Sequence, residues 1–231
     1  VATLEEVLRL QPDHPGACHF YIHTVEASPD PARAVAAAEV LEERIPGSGH
    51  LVHMPSHIYV RVGRYADASD VNERAVAADR AYFGAGGVPG FYLVYFAHNL
   101  HMLAFSAMME GRYGAALEAA RTLEREMPES FLREATGFVD GLMATPYNVM
   151  VRFGRWQDVL REPAPPDYRV LSRAQRHYAR GLALSALGRT GEARRELEAF
   201  EAVARTVPAD WTVGNNASGD VLALARGIRG V

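Results

Sequence analysis

Apolar residues recur three and four positions apart along most of the chain, in stretches that come in pairs. In each pair an amphipathic stretch runs to a short turn, and a second one runs on to a proline or a loop. Four turns are built alike: Gly63-Arg64-Tyr65, Gly111-Arg112-Tyr113, Gly154-Arg155-Trp156 and Gly188-Arg189-Thr190. Pro29-Asp30-Pro31 stands in the same frame without the glycine. Five residues after the first turn residue comes Ala34, Ala68, Ala116, Val159 or Ala193. A small side chain there lets two helices approach closely, and Tyr65, Tyr113 or Trp156 fills the space beside it. The pattern predicts an all-α protein of antiparallel helix pairs, with units near 16–46, 49–81, 97–128, 141–162 and 173–208 and a closing helix at 220–229.

The five small residues are spaced by 34, 48, 43 and 34 positions. A helix–turn–helix repeat of 34 residues resembles the tetratricopeptide unit. No such unit buries its apolar face alone, so neighbours stack, and the expected architecture is one right-handed superhelical α-solenoid over 1–231. The long spacings predict insertions. One is a Gly- and aromatic-rich loop at 82–95, read either as a cover over one face or as a plain connector. The other lies near 130–141. A proline-rich break at Pro163 to Pro166 separates the last two units. Leu4 to Leu10 reads as the second helix of a pair whose first is missing, so the chain is expected to be the C-terminal part of a longer array.

Histidines follow the same frame. His50, His53 and His57 lie thirteen, ten and six residues before Gly63, and His98 and His101 lie thirteen and ten before Gly111. His19, His23 and Glu26 lie ten, six and three before Pro29. These offsets share one helical face. The complementary offsets carry Cys18, Tyr21, Ile22 and Val25, then Val52, Pro55, Ser56 and Tyr59, then Leu100, Leu103, Ala104 and Ala107. That second face is the packing stripe, and the histidines are expected to stand apart from it. Pro55 predicts either a bend or a helix start between His53 and His57.

Imidazoles four residues apart on a helix can clamp one metal ion, and His19/His23 and His53/His57 have that spacing. The candidate ligands are His19, His23, Glu26, His50, His53, His57, His98 and His101. Imidazole with one carboxylate suits Zn, Fe, Cu, Ni or Mn. Eight groups exceed one tetrahedral shell, so either two ions sit here or some of the eight support the others. A metal-free polar pocket and structural hydrogen bonding are the alternatives. No HExxH motif is present. Arg61, Tyr92, Tyr95, Asn99 and Asn148 are further candidates to line the groove and hold a ligand. His14 belongs to the rim or to a turn, and His177 falls off the shared face.

Composition narrows the classes. The 231 residues are 48% hydrophobic, rich in Ala, Leu, Glu and Arg, and have a formal net charge of -4, which gives no sign of nucleic-acid binding. Lys is absent. Cys18 is the single cysteine, which excludes an internal disulfide framework and a cysteine-based zinc site. No apolar run reaches the roughly 18 residues of a membrane span. A cytoplasmic protein is expected, although the chain opens on Val1 rather than Met.

The stretches His14-Pro-Gly-Ala-Cys-His-Phe-Tyr-Ile-His23, Gly49-His-Leu-Val-His-Met-Pro-Ser-His-Ile-Tyr59 and His98-Asn-Leu-His101 together resemble a bacterial family of tetratricopeptide-repeat proteins. Its members are typically longer at the N-terminal side. The resemblance implies the fold and a ligand-binding concave face, and carries no activity with it. Two functions compete: a metal-binding protein or metal-dependent enzyme, hydrolase or oxidoreductase, acting on a small molecule, and a scaffold that binds a peptide or protein in a metal-free groove. Peptide-binding grooves of such repeats usually carry Lys, Arg and Asn, whereas this one carries imidazoles. A pH-responsive pocket is a third reading, because clustered imidazoles titrate near neutrality.

Overall fold

The computed structural model describes residues 1–87 and 89–226, and they are mostly helical. The chain divides between Ala119 and Ala120 into two compact units, where one continuous array is expected from the repeats. The first holds α1 (Ala2–Leu10), α2 (Pro15–Val25), α3 (Val35–Glu42), α4 (Gly49–His53), α5 (Pro55–Val62), α6 (Tyr65–Gly84), α7 (Leu93–Met109) and the first half of α8 (Tyr113–Glu126). In the second, α9 (Glu129–Glu134), α10 (Thr136–Val139), α11 (Thr145–Arg152), α12 (Trp156–Arg161), α13 (Val170–Ala186) and α14 (Thr190–Ala204) follow. A two-residue hairpin, β1 (Thr212–Val213) with β2 (Asn216–Ala217), then leads to α15 (Ser218–Arg226).

The glycine turns share one geometry. Gly63, Gly111, Gly154 and Gly188 have φ of 82, 77, 64 and 73°. The residue after each glycine donates its N–H back five positions: Arg64 to Tyr59, Arg112 to Ala107, Arg155 to Met150 and Arg189 to Leu184, at 2.8–2.9 Å. This is a Schellman closure, and its left-handed residue favours glycine because it has no Cβ. Arg64, Arg155 and Arg189 then pair with Asp67, Asp158 and Glu192 in the first turn of the following helix. Ala34, Ala68, Ala116 and Val159 are fully buried at the crossings, while Ala193 is partly exposed.

In the first unit the packing stripe of α2 meets α3, α5 and α6 in one core of Cys18, Tyr21, Ile22, Val25, Ala38, Leu41, Ile58, Tyr59 and Val71, with Leu4 and Leu8 of α1 against it. Pro55 starts a helix: α4 ends at His53, α5 begins on Pro55, and Met54 between them keeps helical angles of φ −49° and ψ −40°. The segment expected as a loop at 82–95 is shorter. The helix α6 continues through Gly84, and a 3-10 turn at Gly90–Tyr92 runs into α7. Val88, like residues 227–229 of the expected closing helix, lies outside the described residues.

In the second unit Leu171, Ala174, Phe200, Ala204 and Leu222 form the core. The insertion near 130–141 folds into α9 and α10. It ends on Asp140, whose buried carboxylate accepts the backbone N–H groups of Leu171 and Ser172 at 2.9 and 3.1 Å and so caps α13 from a distant part of the chain. Arg169 Nε donates to the same carboxylate at 3.2 Å. No helix of the described residues is long and apolar enough to cross a membrane.

Candidate metal centre

The first unit gathers imidazoles from three places. His19 and His23 lie one turn apart on α2, His50 and His53 sit on α4 with His57 in the first turn of α5, and His98 comes from α7. Among the described residues, three groups have ligand atoms that all lie within 4.8 Å of one another: His53/His57/His98, His19/His23/His50 and His23/Glu26/His57. His57 Nε2 is the meeting point of the first group, 2.9 Å from His53 Nε2 and 3.3 Å from His98 Nε2.

Hydrogen positions follow from the network around the rings. Asn72 Nδ2 donates to the Ala68 carbonyl at 2.7 Å, which turns its Oδ1 toward His53 Nδ1 at 2.8 Å. That nitrogen therefore carries the proton. Glu26 Oε2 lies 2.6 Å from His57 Nδ1, which must donate to it. Both rings, when neutral, then point bare Nε2 lone pairs at each other across 2.9 Å. Protonating His53 is disfavoured, because burial, with His98 and His57 adding to it, pushes that ring well below its ordinary value. Burial also pushes His98 down to about 3. A bound cation relieves the repulsion without a proton. The donor set fits one: nitrogens 2.0–2.1 Å from zinc at tetrahedral angles stand about 3.3 Å apart. The Asn72 and Glu26 contacts are the outer hydrogen bonds that fix the tautomer and orientation of metal-binding imidazoles.

Glu26 joins the groups. Its Oε1 accepts from His23 Nδ1 at 3.1 Å while Oε2 takes His57. Burial alone would raise its carboxyl, but the hydrogen bonds from His23 and His57 prevail and hold it at about 2. In the second group His19 Nε2 lies 3.1 Å from His50 Nε2. Burial lowers both rings, His50 to about 4. The His50 ring packs at 4.3 Å between centroids against Tyr95, and its Nδ1 is buried with no hydrogen-bond partner.

The expected separation of histidines from the packed interior holds only in part. His53 is wholly buried, because Asn72 and Ser56, at 2.8 and 3.2 Å, satisfy its Nδ1 there. His101 belongs to none of the three groups. Tyr92 and Asn99 donate to the two oxygens of buried Asp79 at 2.9 and 2.7 Å, and the backbone N–H of His50 meets the Tyr92 hydroxyl. Arg61 is exposed, and Asn148 is exposed on α11 in the second unit. His14 caps α2, accepting the Ala17 N–H at 3.1 Å, and His177 pairs with Glu196 at 2.7 Å.

Asn72, Ser56 and Asp79 are the site's residues that sequence reasoning misses. Ser56 lies on the packing stripe, and Asn72 and Asp79 sit inside α6, a second helix of a pair where the histidine frame does not extend. A polar residue at a buried register position of α6 was the one available signal. Comparison with protein-family models, with curated proteins and with solved structures finds no match.

Proposed function

We propose that this protein binds a divalent transition-metal ion through His53, His57 and His98, with Glu26 and Asn72 holding two of the rings in place. The observation that carries this reading is the meeting of three imidazoles at a part-buried place where the protons of two of the rings are committed elsewhere, on Nδ1. Three neutral nitrogens suit Zn, Fe, Cu, Ni or Mn alike. When bound, such an ion supplies Lewis acidity to an oxygen ligand, the chemistry that metal-dependent hydrolases and oxidoreductases share. Asn72 and Glu26 fix the tautomers of His53 and His57, and burial excludes water from His53. A small molecule or peptide reaching the histidine face is the corresponding ligand.

The helix pairs are read as a tetratricopeptide-type array. The four Schellman turns with the same Gly-Arg sequence and the same five-residue offset to a small crossing residue support it. Elemental analysis of protein purified without a nickel column tests the function. At least one equivalent of a transition metal is expected, falling by about one in His57→Ala with helicity retained. Protein that arrives without metal and takes up none on reconstitution would sink the proposal and favour a metal-free groove.

A further inference from the structure

His19, His23 and His50 share no residue with the buried triad and differ from it in exposure. The His23 side chain is 39% exposed where His53 is wholly buried. Their ligand atoms lie within 4.8 Å of one another, with 3.1 Å between the Nε2 atoms of His19 and His50. His23 has its Nδ1 engaged by Glu26, which leaves Nε2 as its donor. His50 Nδ1 is buried without a partner. An ion held on Nε2 leaves the ring proton on Nδ1, so this unmet N–H is not the atom that an ion would satisfy. Ring centroids stand 5.2 Å apart for His23 and His57 and 6.1 Å apart for His50 and His53, so the two triads are neighbours.

Resting on the reading that the buried triad holds an ion, we propose that His19, His23 and His50 form a second metal site that faces solvent, and that its open side takes a small oxyanion of the phosphate type. Charge argues for the anion. Six neutral imidazoles bring no charge to two dications. Glu26 brings a single negative charge, and its two oxygens are occupied by the N–H groups of His23 and His57. The positive charge at the exposed site is therefore not balanced by its own ligands. Three nitrogen ligands also leave a tetrahedral ion one position open, as in catalytic rather than structural zinc sites.

Zinc titration of the full chain, read by native mass spectrometry, tests the second site. Two ions are expected on the wild type and one on a His19→Ala/His23→Ala variant, whose replaced side chains are both at least partly exposed. Circular dichroism checks the fold, and His50→Gln replaces the double variant if helicity is lost. A wild type that stops at one ion, or a variant that still takes two, overturns the second site and leaves the buried one standing. A wild type that takes none overturns both. For the oxyanion, the cobalt(II)-loaded protein is titrated with inorganic phosphate. A change in its visible absorption is expected in the wild type and not in the variant. An unchanged wild-type spectrum, or the same change in both proteins, overturns the oxyanion assignment.

Discussion

His98 and His101 stand about one helical turn apart on α7 and have different surroundings. His98 meets His57, whereas His101 belongs to no group of ligand atoms. Burial alone pushes the His101 imidazole down to about 4. In the unfolded chain it takes its proton near 6.5. As pH falls from about 6.5 to about 4, the unfolded chain binds a proton that the folded chain refuses, so stability declines through that window and levels off below it. The expected slope from this group is at most about 1.4 kcal/mol per pH unit. Urea midpoints of the metal-free protein at about pH 7 and about pH 5 check the prediction. His101→Gln should lose less stability between them than the wild type, and should still retain metal. Equal losses would show that His101 is not the half-buried neutral base described.

At the level of elements, the docking of α4 is decided by an absence of atoms. A Cβ on Gly49 would lie 1.9 Å from Asp79 Oδ1 and 2.8 Å from the Ala75 carbonyl, so α4 rests directly on α6. Asp79 is in turn held by Tyr92 and Asn99. Gly49→Ala is expected to cost about 1–3 kcal/mol in urea unfolding, the usual penalty for overpacking, and to weaken metal retention because His50 is the next residue. Gly47→Ala, where a Cβ meets nothing within 4 Å, should change neither. An unaltered Gly49→Ala protein would mean that the α4–α6 contact does not position the histidines. This scale also marks what a sequence can reveal. The glycine turns and the stripe of Cys18, Tyr21, Ile22 and Val25 are readable because each is written within a few consecutive residues. Seven imidazoles in register are readable for the same reason. Asn72, Ser56 and Asp79 are not, because their importance lies in which helix they touch, and Asp140 reaches the start of α13 from about 30 residues away. Pro55 is readable as a bend or a helix start, and α5 begins on it.

Across the whole molecule, the histidine groups belong to the first unit. Ligand binding stabilises the parts of a protein that must be ordered to bind it. Hydrogen exchange with and without zinc is therefore expected to show slower exchange in α2, α4, α5 and α7 and unchanged exchange over 120–226. Protection spread evenly through both units would contradict a site confined to the first. Glu26 touches both triads, one oxygen to His23 and the other to His57. It works as a two-armed lever, since whatever polarises one imidazole alters the charge that the other leans on. Linkage then requires reciprocity: the factor by which occupancy of one triad changes affinity at the other is the same in both directions.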